Sequence, residues 1–126
     1  PTLLRDTLRR VRIGRDRVEE AKRLLALGGE YPQGCSELVC KVLGIPWENA
    51  NTLLGSAPSE IGSNGNYRNV SPGDVVGWKR VGESGHVAIY VGEPGMRFID
   101  VRAPGAIPRK LGNGYGAQKL AKSSKY

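Results

Sequence analysis

At 126 residues the chain is long enough to bury one core and too short to require a second, so a single domain is expected. Its composition, 39% hydrophobic and 25% charged with 18 glycines and 8 prolines, excludes a fibrous or disordered chain and predicts short elements between many turns, an α+β fold. The net charge of +7 lies in the flanks, with eight basic and four acidic residues in 1–23, five basic and none acidic in 109–126, and six basic against eight acidic between, a distribution suited to DNA, anionic lipid or an anionic wall polymer.

In chain order, Leu4, Leu8 and Val11 recur at helical spacing among arginines, which reads as a short basic amphipathic helix or a basic leader, interrupted at Gly14. Asp16 with Glu19 three residues on reads as a capping box for a second helix, whose apolar stripe Val18, Ala21, Leu24 and Leu25 ends at Gly28-Gly29. Residues 1–30 are thus read as N-terminal basic helices of the same domain, and 31–126 as its core with a basic C-terminal tail. After the Tyr31-Pro32-Gln33-Gly34 turn, Leu38, Val39, Val42 and Leu43 place a helix over 35–43, closed by Gly44 and Pro46. A helical turn is expected near Asn49–Leu54, and an exposed polar loop over Ser63–Asn69. Then comes an antiparallel meander: a Ser71-Pro72-Gly73-Asp74 turn whose aspartate bonds its own loop, a strand through Trp78, a strand from His86 to Gly92, a Glu93-Pro94-Gly95 turn and a strand over 96–102. A short strand over Ile107–Leu111 and a frayed C-terminus complete the chain.

No apolar run approaches the ~20 residues of a membrane span, and no apolar core follows a basic start as in a secretory signal. Neither membrane insertion nor a signal peptide is expected in this chain. It begins at Pro1, which suits a trimmed product or a domain of a longer protein. Base-stacking aromatics in the basic flanks are limited to Tyr115 and Tyr126, so nucleic acid is not the expected partner. One histidine and two cysteines make no zinc pattern, and no metal or cofactor is expected. Five residues apart on one helix, Cys35 and Cys40 point about 140° apart, which argues against a bridge between them.

Chemistry centres on Cys35. A cysteine in the first turn of a helix meets the positive end of the helix dipole, which favours thiolate over thiol. Cys40, deeper among Val39 and Val42, reads as a small core residue. Cysteine chemistry needs a base that accepts the thiol proton and returns it to the leaving group, and His86 is the single imidazole. Asp100, on the neighbouring strand, either orients that imidazole or is a solvated residue paired with Arg102. Trp47 and Trp78 are candidates for a substrate groove, although Trp78, on a strand after the Pro-Gly-Asp turn, reads first as a core residue.

These residues together amount to a resemblance. Tyr31-Pro32, then Gly34-Cys35-Ser36 opening a helix, then Ser71-Pro72-Gly73-Asp74 before a strand, then Gly85-His86-Val87-Ala88-Ile89-Tyr90-Val91-Gly92, resemble the NlpC/P60 family of papain-like cell-wall peptidases. The pattern is similar too to CHAP amidases and to compact amidase effectors of type VI secretion systems. It covers residues 31 to about 102. The resemblance implies a papain-like fold, the nucleophile helix packed on a small antiparallel sheet, with Cys35 as nucleophile, His86 as base and Asp100 as third residue. Cys35 N–H and the Tyr31 hydroxyl are oxyanion donors in this reading, with Ser36 positioning substrate, and Tyr31 is equally a packing residue at the helix entry. It further implies cleavage of peptidoglycan stem peptides, most often between D-glutamate and diaminopimelate, by a lysin or an antibacterial toxin that is secreted or delivered to the target periplasm. For a toxin, a larger secretion carrier and a cognate immunity protein are the expected partners. Two other readings stand beside it: a papain-like deamidase or acyltransferase acting on proteins, and a non-enzymatic basic binding module with Cys35 and His86 in its core.

Overall fold

A computed structural model describes residues 2–126. It is an α+β arrangement: three helices, α1 (Thr2–Leu27), α2 (Cys35–Leu43) and α3 (Ala50–Leu54), and seven strands, β1 (Ser59–Ser63), β2 (Asn66–Tyr67), β3 (Val75–Arg80), β4 (Glu83–Glu93), β5 (Met96–Val101), β6 (Pro108–Leu111) and β7 (Leu120–Lys122). The strands form one sheet in the order β2-β1-β7-β3-β4-β5-β6, and every pairing is antiparallel.

Alternation along β3, β4 and β5 divides apolar side chains between the two faces of the sheet. On one face Val75, Val87, Ile89, Val91, Ile99 and Val101 meet Leu38, Val39, Leu53 and Leu54 of the short helices and Val18, Ala21 and Leu24 of α1. On the other, Val76, Ala88, Phe98, Ile61 and Leu120 form a smaller core against Tyr67, Tyr90, Trp78 and Tyr115. The second face is the one that carries His86 and Asp100, as the period-2 pattern of β4 and β5 requires.

Three expectations are corrected. Gly14 does not interrupt the first helix, and Asp16 lies inside α1 rather than capping a second one. A Cβ at Gly14 would stand 2.4 Å from the Pro72 carbonyl oxygen, so the glycine marks where the turn before β3 presses on a continuous helix. The Ser63–Asn69 stretch is not a plain loop: β1 and β2 pair there through Asn64-Gly65, both at positive φ (53° and 79°), as a two-residue hairpin demands. The C-terminus is not frayed. β7 threads between β1 and β3, Leu120 is buried, and Ser123 Oγ donates to the Leu53 carbonyl at 2.6 Å.

The remaining elements lie where periodicity puts them. Asn49 caps α3 by accepting from Thr52 N–H at 2.8 Å, and Asp74 closes its own turn by accepting from Ser71 N–H at 2.8 Å. Cys40 is buried, its sulfur exchanging hydrogen bonds with the Glu48 backbone.

Candidate active site

The chain enters α2 through Gly34 at φ 68°, and among the described residues no side chain caps the helix start. Cys35 is therefore the first residue of a helix whose leading N–H groups are left to a ligand or to the thiolate. The loop before it is held by the Tyr31 backbone: its carbonyl accepts from Gly34 N–H (2.9 Å) and Gly105 N–H (2.8 Å), and its N–H donates to the Ala106 carbonyl (3.0 Å).

His86 sits on β4 opposite Trp78 of β3, and its position is set by close backbone approach on either side. A Cβ at Gly77 would lie 1.8 Å from the His86 carbonyl oxygen, and one at Gly85 would lie 2.0 Å from that of Trp78. Asn51 of α3 locks the same hairpin. Its amide donates to the Arg80 and Glu83 carbonyls (3.0 and 3.1 Å) and its oxygen accepts from Gly85 N–H (3.1 Å). The imidazole is thereby fixed within hydrogen-bonding reach of the Cys35 sulfur, which the Val87 N–H also approaches.

Asp100 is fully buried. The β4–β5 register pairs Tyr90 with Phe98, so Asp100 lies diagonally across from His86 on the same face. Its Oδ2 accepts from His86 Nε2 at 2.7 Å, which leaves Nδ1 as the ring nitrogen for Cys35. Arg109, directly opposite Asp100 on β6, forks onto the carboxylate through Nε (2.8 Å) and Nη2 (3.3 Å). The Tyr115 hydroxyl donates to Oδ2 as well and lies 3.2 Å from His86 Nε2. The alternative pairing of Asp100 with Arg102 is not what the fold adopts: the carboxylate is inside, and Arg109 is its cation.

Aromatic rings enclose the imidazole. Trp78 lies 5.0 Å from it between centroids, and Tyr115 packs edge-on to both at 5.1 and 5.2 Å. In this setting burial disfavours each charge, yet the partners outweigh it. Burial alone would lower the His86 pKa, but hydrogen bonds to Asp100 and Cys35 push it up to about 9. Burial likewise opposes the Cys35 thiolate, and the His86 hydrogen bond and charge with the Val87 N–H bring the thiol below its ordinary range. Asp100 stays ionised against burial because His86, Arg109 and Tyr115 all donate to it. Burial and the Asp100 charge drive the Tyr115 phenol far up, so it serves as a donor. The charges these partners favour form an alternating line, thiolate at Cys35, imidazolium at His86, carboxylate at Asp100 and guanidinium at Arg109.

Cys35, His86 and Asp100 thus converge. Tyr31 and Ser36 do not join them. Tyr31 is buried in the helix-side core with its ring 4.7 Å from Lys41 Nζ. That part of α2 is turned more than about 100° from Cys35, so Tyr31 shapes the entry loop through its backbone. Ser36 is buried, its hydroxyl donating to the Gln33 carbonyl (3.2 Å) and accepting from Trp47 Nε1 (2.9 Å); it holds the half-exposed Trp47 ring at the start of α2.

Arg109 and Tyr115 escape the sequence reading. Arg109 carries a signal, since the strand expected over Ile107–Leu111 would place a cation opposite Asp100. Tyr115 carries none, in a glycine-rich turn with no periodicity. Compared with family models, curated proteins and solved structures, the chain finds no match.

Proposed function

We propose that this chain is a papain-like cysteine hydrolase that cleaves an amide bond, with peptidoglycan stem peptides as substrate and the D-glutamyl-diaminopimelate bond as the expected target. The observation that supports it most is the partly buried Cys35–His86–Asp100 line, in which a thiol at a helix start meets an imidazole whose other nitrogen is bonded to a carboxylate at 2.7 Å. A core histidine and a core cysteine need no such arrangement.

The chemistry follows from the charges. The Cys35 thiolate attacks the scissile carbonyl, and the oxyanion that forms takes hydrogen bonds at the start of α2, with Cys35 N–H the nearest donor. The His86 imidazolium then gives its Nδ1 proton to the departing amine, leaving a thioester and a neutral imidazole. Water loses a proton to that nitrogen as it attacks the thioester, which releases the carboxylic acid and restores the thiolate–imidazolium pair. Asp100 keeps the ring oriented and its charge compensated throughout.

The stem-peptide substrate rests on the resemblance and on a basic chain suited to an anionic wall. In the same reading the enzyme acts as a lysin or an antibacterial toxin in the target periplasm, carried by a larger protein and silenced in the producer by an immunity protein over the groove. The test is release of new amines from purified sacculi. Wild-type protein is expected to release them and Cys35→Ala to release none, with mass spectrometry of the fragments giving the bond. Undiminished release by Cys35→Ala removes the mechanism, whereas intact sacculi combined with deamidation of a protein substrate removes the wall assignment alone.

A further inference from the structure

The first half of α1 belongs to neither core. Residues 2–13 are all exposed, and the buried residues of the helix begin at Val18. Yet Leu3, Leu4, Leu8 and Val11, which are 75%, 60%, 57% and 60% exposed, are large and apolar. At about 100° per residue, these four and Thr7 fall within an arc of about 140°, while Arg5, Asp6, Arg9, Arg10 and Arg12 fill the rest of the circumference. Arg12 and Arg10 stand at the two borders of the apolar arc. Ile13 lies outside it. These twelve residues extend the continuous helix about 18 Å beyond its packed half, with an apolar arc that joins neither core. Something apolar is needed to cover it.

Charge selects the occupant. A second copy would bring the same four arginines against these, and like charges disfavour that contact. Nucleic acid or a wall polymer would accept the arginines and leave the leucines in water. An anionic bilayer accepts both, since its phosphates meet the guanidinium groups at the arc's borders while the leucines enter the acyl boundary. The fold strengthens this by uniting the two basic flanks. Arg17 donates to the Tyr126 carbonyl at 2.9 Å, and Arg10 and Arg15 share one cleft of about 880 Å³ with Lys122 of β7. Of the acidic side chains there, Glu93 is paired with Lys22 at 2.5 Å and Asp74 is bonded within its own turn, which leaves Glu19 against Arg10, Arg15, Arg17 and Lys122.

We propose that residues 2–13 anchor the protein flat on an anionic lipid surface, with Leu3, Leu4, Leu8 and Val11 in the acyl boundary and the arginines on the headgroup phosphates. The cleft adjoins Val91, five residues along β4 from His86, which is about 16 Å, so the anchored molecule keeps Cys35 and His86 open. The anchor is independent of the hydrolase reading.

The test is cosedimentation of the full chain carrying Cys35→Ala, with vesicles of phosphatidylcholine alone or mixed with phosphatidylglycerol. The mixed vesicles are expected to take the protein down at least about tenfold more strongly, and 1 M salt, where the screening length is about 3 Å, to release much of it. Leu4→Glu with Leu8→Glu is expected to cut partitioning at least about tenfold. Both side chains are exposed, so the fold survives, and circular dichroism verifies it. Arg10→Gln with Arg12→Gln, which keeps the apolar arc and removes the guanidinium groups at its borders, is expected to lose the preference for phosphatidylglycerol. Equal sedimentation with both vesicle types, or full binding by the Leu4/Leu8 variant, overturns the proposal. So does a dimer in sedimentation equilibrium that the glutamates abolish, or binding of a labelled acidic amphipathic peptide without binding of vesicles, since these identify a second copy or a protein groove as the occupant.

Discussion

At the scale of single residues, the consequence of the charge line through Cys35, His86 and Asp100 is a set of pH dependences that differ by observable. The thiolate forms below the ordinary thiol range because His86 is charged beside it, and His86 keeps its proton up to about 9. Alkylation of Cys35 by iodoacetamide, which needs only the thiolate, is therefore expected to be fast at pH 7 and to persist above pH 9. Amide hydrolysis, which also needs the imidazolium proton for the leaving amine, is expected to fall as pH rises through about 9. His86→Ala returns the thiol to burial without compensation and should slow alkylation at pH 7 at least about tenfold. Cys40, whose thiol burial pushes up, serves as the unreactive internal control. Parallel alkylation profiles for wild type and His86→Ala would refute the ion pair. Stability carries the same sign. The folded pKa of His86 lies above its ordinary 6.5, so the stabilisation from its proton is complete below about 6.5 and is lost as pH rises through about 9, a decline that Tm measured against pH should show.

Elements differ in how much of them the sequence discloses, and the differences have physical causes. The helix over 35–43, the capped turn at Asn49 and the meander from Val75 to Val101 obey local rules of periodicity, capping and turn chemistry, so they are legible without any tertiary contact. Two of the three site residues follow from those rules, a cysteine at a helix start and a histidine opening a strand, and the β4–β5 alternation puts Asp100 on the face of His86. What lies beyond them depends on contacts between distant segments. Asn64-Gly65 is a hairpin signal masked by the polarity around it, and β7 is three residues whose pairing with β1 and β3 no local pattern announces. Gly14 is the instructive case, since glycine in a helical run marks either a break or a close approach. The distinction can be measured. Gly14→Ala improves helix propensity by about 1 kcal/mol, but its Cβ would stand 2.4 Å from the backbone oxygen of Pro72, a carbonyl that cannot rotate aside. Net destabilisation of about 1–3 kcal/mol is expected, read as a lower urea midpoint at unchanged m. A stabilised variant would show that α1 does not bear on the turn.

Across the whole molecule, the C-terminal segment connects distant parts of the architecture to the imidazole. β7 lies between β1 and β3 with Leu120 in the smaller core. Ser123 Oγ and the Ser124 N–H bond the Leu53 and Leu54 carbonyls of α3, and the Tyr126 hydroxyl donates to Glu48 at 2.9 Å. α3 in turn carries Asn51, which holds the β3–β4 hairpin at Gly85 beside His86. Removing residues 119–126 would strip a central strand from the sheet, expose Ile61 and Val76, and leave the edges of β1 and β3 unpaired. It would also loosen α3 and, through Asn51, the strand that positions His86. The truncated chain is expected to lose cooperative thermal unfolding and to bind a hydrophobic dye. Asn51→Ala in the full chain is expected to remain cooperative while Cys35 alkylation at pH 7 slows several-fold, because its loss frees the hairpin without opening the sheet. A truncated chain that unfolds as sharply as the intact one would mean that β3 to β6 and the helices suffice for the fold. Wild-type alkylation in Asn51→Ala would mean that the glycine contacts alone hold His86.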